Sequence, residues 1–377
     1  MNQPVHGPIR RRATSRAHSA GLSLVELMVA LTISLVLIAG AAQVYVNSRN
    51  TYATSETAAR LQENARYAMS ILEPDIRMSG YWGLLKDAGT AVTNSALATD
   101  TASAITVGNS CATNFGVDLN DNLVGTNDSY PYTGNCAAWP GTDGKATALA
   151  TADTLTIRRA STLQDTNTKA GRLRICSTRS AATLVTDPAN DPTGVCALVS
   201  SGAAQMNDLI VNFYYVDTES SAGTTIPSLR RYSLTSDGTN TMSDEEVITG
   251  IEDMQIQYGI DPTGGYGDTA GAATQYVNAD VANTLLSSKT SPAQVVAVRV
   301  WLLVRADVPE VGFTDTRSYD YGDRNHSNGY TADLTSTADR TKAYRPGDST
   351  DTGLTGVQHY RRMLICKTIQ LRNSLGT

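Results

Sequence analysis

Basic residues are in short supply: 30 lysines and arginines stand against 36 acidic residues in 377, a formal net charge of −6. Arg10, Arg11, Arg12 and Arg16 fall within the first 21 positions, which hold no acid, so the rest of the chain carries 26 basic against 36 acidic side chains, a net −10. That balance argues against general nucleic-acid binding, which needs a basic face. Histidine is scarce too. His326 and His359 are the two beyond position 21, and no cysteine pair has CxxC spacing, so the ligand sets of zinc sites are missing. G-x-S-x-G, Walker and H-E-x-x-H strings do not occur, and nothing else suggests a catalytic constellation or a cofactor. The expectation is a protein that is not an enzyme.

What the chain does have is one long, mostly apolar run, Leu22 to Val46, in which Glu26 is the one charged residue. A carboxylate near membrane depth costs about 2.5–3.5 kcal/mol on insertion scales, so a chain that keeps one there has a use for it. No residue from Leu27 to Ser48 is charged, and as helix this stretch spans about 33 Å, enough for one bilayer crossing. The arginines before the run place that end in the cytoplasm and everything after Val46 in the periplasm or outside. Further on, Ala58, Leu61, Ala65, Ala68, Met69, Leu72 and Ile76 recur at spacings of three and four, with Glu56, Arg60, Glu63 and Arg66 on the other faces. This predicts one helix of about 75 Å, greasy first and one-sided later, which Pro74 kinks or ends near Leu72.

The remainder reads as strands and long loops. Residues 86–160 look like a loop-rich insertion with short strands at Ile105-Thr106-Val107 and Leu155-Thr156-Ile157. Alternation is clear at Leu209, Val211, Phe213 and Tyr215, and at Met254, Ile256, Tyr258 and Ile260. It returns at Val296 to Val304 and at Met363, Ile365, Ile369 and Leu371. Such patterns predict antiparallel sheet with one face buried and one exposed, so the fold class is α+β, a long N-terminal helix packed on an antiparallel β head. Stretches 261–292 and 314–357 read as surface loops. Cys111 with Cys136 and Cys176 with Cys196 would each close a loop of about 20–25 residues, worth about 3 kcal/mol per bridge in an oxidising compartment; four cysteines allow three connectivities. Cys366 is left over as a buried free thiol.

The string Gly21-Leu22-Ser23-Leu24-Val25-Glu26-Leu27-Met28 resembles the processing site of type IV prepilins. The segment Ala65 to Gly83, with Glu73-Pro74-Asp75 and Gly80-Tyr81-Trp82-Gly83, resembles the PilW family of minor pilins, as do Ile251 to Asp261 and Tyr360 to Asn373. Many relatives have cysteine where Leu84 stands here. The resemblance implies a leader 1–21 removed by prepilin peptidase after Gly21 and a methylated amine on Leu22. It also implies a transmembrane helix 22–47, an amphipathic continuation 48–83, and a periplasmic or extracellular head 84–377. Glu26 would attract the Leu22 amine of a neighbouring subunit in lipid, where an unpaired charge is punished. A minor pilin of this kind would sit in the inner membrane with its head in the periplasm and then in the fibre. There it would join other minor pilins, the major pilin and the inner-membrane assembly machinery in an initiation or tip complex.

Other readings compete. Glu26 could lie at the headgroup level near the positive helix end, with only a few tenths of a kcal/mol at stake. A secretory signal cut after Ala39-Gly40-Ala41 would free a soluble periplasmic protein. A type II secretion pseudopilin uses the same leader and helix, and a tip adhesin would use region 86–240. Asp118 to Asn122 offers alternating oxygens for calcium but lacks the glycine and glutamate of an EF-hand loop, and Gly265 to Ala270 is a loose G-x-G-x-x-A with no helix pattern behind it.

Overall fold

A computed structural model describes residues 21, 23–85, 105–112, 115–119, 121–140, 148–165, 172–191, 193–235, 240–263, 271–287, 293–322, 344, 346 and 356–373. Leader residues 1–20, Leu22, His326 and the whole Gly265 to Ala270 string therefore lie outside the described residues. The chain forms two units, Met1–Glu56 and Thr57–Thr377.

In the first unit, helix α1 (Leu24–Arg77) begins and presents its apolar side chains to the surroundings, with Leu24 75% and Leu35 71% exposed. It is long and apolar enough to cross a membrane. Its threonines turn their hydroxyls back on the helix, Thr32 to the Val29 carbonyl at 2.8 Å and Thr51 to that of Asn47 at 2.9 Å. In hydrocarbon such polar groups have no water to turn to, and internal bonding removes most of the cost.

In the second unit α1 buries the stripe Leu61, Ala65, Ala68, Met69, Leu72 and Ile76. The helix does not end near Leu72 but runs through Pro74 to Arg77. Proline forfeits one backbone bond, yet Met78 N–H still donates to the Pro74 carbonyl at 3.1 Å, and the buried side chains of Asp75 and Ile76 hold the last turn in place. Gly80 and Gly83 then turn the chain with φ of +72° and +78°. A Cβ on Gly83 would come within 2.4 Å of Ser177 Oγ, so only glycine fits.

Among the described residues eleven strands follow, paired antiparallel within their sheets. β1 (Leu123–Thr126), β2 (Thr154–Gln164), β5 (Gln205–Asp217), β3 (Arg174–Ser177) and β4 (Ala182–Val185) lie side by side in that order, and β6 (Ser228–Leu234) joins β5 to β7 (Met242–Thr249) in the same seven-stranded sheet. The second sheet has the order β11 (Arg362–Gln370), β10 (Gln294–Arg305), β8 (Ile251–Asp261), β9 (Gln275–Val277), and a short helix α2 (Ala279–Ser287) precedes β10. The main core joins the α1 stripe to Leu155, Ile157, Tyr214 and Val216 of the first sheet and to Met254, Ile256, Val298, Val300 and Ile369 of the second.

The alternation predicted for β5 places Leu209, Val211, Phe213 and Tyr215 together, but in a second core rather than at a solvent boundary. Phe115, Tyr130 and Tyr132 cover that face, so β5 is buried on both sides. β8 departs from the expectation in the same way. Asp253, Gln255 and Gln257 are as buried as the apolar residues between them. Each has a local hydrogen bond: Tyr321 Oη donates to Asp253, Gln255 Nε2 to the Thr151 carbonyl at 3.0 Å, and Gln257 Nε2 to Asn278 Oδ1 at 3.4 Å. Ile105-Thr106-Val107 forms no strand. Leu155–Ile157 falls within β2.

Cys111 is bonded to Cys136 and Cys176 to Cys196. Cys366 is exposed, not buried, because β11 is an edge strand whose core-facing positions are taken by Met363, Ile365 and Ile369. The Cys176–Cys196 bridge anchors a small third core of Val185, Val195, Ala204 and Met206. Replacing both of its cysteines by serine is expected to cost about 3 kcal/mol, a fall of about 4 °C in the melting temperature followed by circular dichroism.

Candidate functional site

Gly21 is exposed and lies in non-helical backbone just ahead of α1. Leu27 N–H donates to the Ser23 carbonyl at 3.1 Å, the first bond of the helix, which places Glu26 in the first turn. The helix N-terminus carries a partial positive charge, so the Glu26 carboxylate is favoured there. Every described residue from Ser23 to Ala53 is exposed, so Glu26 is open to a partner. The residues expected for processing and assembly thus lie within one short stretch of chain, at the tip of an apolar rod.

The other end of α1 is fixed by a group the sequence reading passed over. Asp75 is 5% exposed, and its Oδ1 receives Arg159 Nη2 at 2.6 Å and Nε at 3.0 Å. Oδ2 receives Asn212 Nδ2 and Tyr214 Oη, both at 2.5 Å. Both oxygens are therefore satisfied by β2 and β5. Burial first, and then the Asp75 charge, pushes the Tyr214 phenol well above its ordinary range, keeping it a proton donor. The sequence signal was an acid inside a helical apolar stripe, next to Ile76.

A second buried network was also missed. The register of β8 on β10 slips between Leu303 and Val304, a bulge that lets Glu252 turn toward the strand ends. Its carboxylate takes Arg305 Nη1 at 3.1 Å and Arg362 Nη2 at 2.8 Å, with a further bond from Arg362 Nε. Arg305 stacks on the Tyr360 ring at 4.6 Å, and Arg362 lies 3.7 Å from Asp315 Oδ2. Burial alone would raise the Asp315 pKa, but hydrogen bonds from Arg317 and Tyr319 outweigh it and hold it below the usual carboxylate value. Two guanidiniums and two carboxylates thus neutralise one another inside the head. Arg362 and Glu252 lie in the segments singled out by resemblance, and their ion pair joins those distant segments.

No cluster of three or more metal-ligating acids, histidines or cysteines occurs among the described residues.

The family described as Type IV Pilus-assembly protein W matches residues 213–373, and the Prokaryotic N-terminal methylation motif matches residues 16–42. Residues 213–373 are thus similar to the PilW family, behind an N-terminus that matches the methylation motif of type IV prepilins. The PilW match begins at Phe213 in β5 and takes in Glu252, Arg305, Asp315 and Arg362, so the neutralised network lies within the matched region. The methylation motif spans Gly21, Leu22 and Glu26. No curated protein matches the chain. Among solved structures, a type IV-like pilin from Thermus thermophilus is similar at 15% identity over 60% of this chain and 79% of its own, with a TM-score of 0.24. The prepilin motif and the apolar helix fit a membrane-anchored pilin.

Proposed function

We propose that this chain is a minor pilin that acts by assembly: prepilin peptidase cuts it after Gly21, the Leu22 amine is methylated, and the mature chain enters a type IV pilus as part of the initiation or tip complex. The observation that carries this reading is the position of the methylation motif, directly on an exposed apolar helix with Glu26 in its first turn. While the helix is in lipid, Glu26 neutralises the amine of an adjacent subunit and so sets how far the incoming subunit advances. A pairing of this kind gains from low dielectric because both charges would otherwise be left unpaired there. The partners are the peptidase, other minor pilins, the major pilin and the inner-membrane assembly machinery. The chain waits in the inner membrane with its head in the periplasm.

Mass spectrometry of the N-terminal peptide from purified fibres tests this reading. A peptide beginning at Leu22 and bearing one methyl group is the expected result. A chain starting at Ala42, or one that keeps its first 21 residues, would sink it.

A further inference from the structure

The covered face of β5, β6 and β7 gathers Asp217, Asp244 and Glu246 near the Arg230 guanidinium, with Glu219 beside Asp217. Arg230, 4% exposed, gives Nε to Asp244 Oδ2 at 3.0 Å and Nη1 to Glu246 Oε2 at 3.3 Å. Glu246 also accepts the Ser221 N–H at 2.7 Å. Asp217 is fully buried at the end of β5; its Oδ1 accepts the Glu219 N–H at 3.1 Å, and its Oδ2 has no hydrogen-bond partner among the described residues. The charges facing Asp217 are Arg230 from β6, which attracts it, and Asp244 from β7 and Glu219 from its own turn, which repel it; the Tyr130 phenol faces it from the covering loop. A buried carboxylate with one orphaned oxygen and two like charges nearby is costly to keep ionised.

The same cluster holds that covering loop. Arg230 stacks on Trp139 at 4.2 Å, Trp139 N–H donates to Tyr215 Oη at 3.2 Å, and Tyr215 Oη donates to Asp244 at 2.8 Å. Tyr232 Oη donates to the Ala137 carbonyl at 2.8 Å, and further along Leu149 N–H donates to the Val216 carbonyl at 2.9 Å. The Cys111–Cys136 bridge closes the strap at one end.

We infer that Asp217 makes this cluster a proton-sensitive latch, in which uptake of one proton by its buried carboxyl tightens the strap around Tyr130 to Pro140 on the sheet. Protonation removes the repulsion from Asp244 and Glu219 and leaves Arg230 to the two carboxylates it already binds. Burial, ahead of the repelling charges, raises the Asp217 pKa to about 6 from an ordinary 3.8. A carboxyl whose pKa is raised in the closed form binds its proton more tightly there than when opened to water. The closed form therefore gains as pH falls through about 6 and loses that gain as pH rises above it.

Hydrogen–deuterium exchange of residues 130–140 in the full-length mature protein in detergent, corrected for intrinsic rates, tests the latch. Between about pH 7.5 and about pH 5 the parent strap is expected to gain about tenfold in protection, since one pKa unit corresponds to a factor of ten. Asp217→Asn should give high protection at both pH values, and Glu219→Gln, which keeps Asp217, should shift the midpoint to lower pH. Equal protection of the parent at both pH values, a midpoint below about 4.5, or an undiminished pH response in Asp217→Asn would each overturn the inference.

Discussion

Glu26→Ala is expected to be cut after Gly21 as efficiently as the parent chain, yet to be recovered in sheared fibres at about a tenth of the parent amount or less. On the proposed reading the peptidase acts at Gly21, a residue with no side chain, and Glu26 lies five positions along, in the first turn of α1. Assembly asks something different of the same segment. A subunit leaving the bilayer for the fibre must find its axial position among other apolar rods that offer few directional contacts. A carboxylate seeking an amine provides one, and each 1.4 kcal/mol of pairing lost is a factor of ten in the equilibrium. Quantitative immunoblotting of sheared fibres against the membrane fraction reads the outcome. Normal incorporation of the variant would remove the register role while leaving cleavage untouched. Glu26→Gln separates charge from hydrogen bonding and should behave like alanine if charge is what matters.

Glu252→Gln is expected to lower stability by about 3–5 kcal/mol, because it leaves the buried Arg305 and Arg362 guanidiniums with Asp315 as the remaining carboxylate of the four-charge network. In melting temperature this is a fall of about 5–7 °C, measured by circular dichroism. Removing one member of a buried ion group strands its partners, whereas replacing the whole group by apolar residues of similar volume is often neutral. The triple change of Glu252, Arg305 and Arg362 to methionine should therefore recover much of the loss. A single Glu252→Gln variant that melts within 1 °C of the parent would show that the network contributes little.

Much of this architecture is legible in the sequence. The α1 stripe follows a period of 3.6, and the β5, β8 and β10 cores follow a period of two, because local geometry fixes which side chains share a face. Glu26 stands out for a simpler reason: it is the one charge in an apolar run. What escapes is set by contacts distant in sequence. Nothing local says that Phe115 and Tyr132 will cover β5, or that Tyr321 will close over Asp253, so the outward faces were read as wet. Pro74 was read as a stop because its penalty is local, whereas the bonds that hold Asp75 come from residues 84 to 139 positions away. Cys366 was placed inside because cysteine usually is, but an edge strand has an open side.

The two sheets of the head are secured by different chemistry. Both covalent cross-links serve the seven-stranded sheet, and the compensated group of Glu252, Arg305, Arg362 and Asp315 serves the four-stranded one. A reductant should therefore loosen the first and spare the second. Maturation of the molecule thus depends on an oxidising catalyst for one half, and the other half can reach its final form without such help.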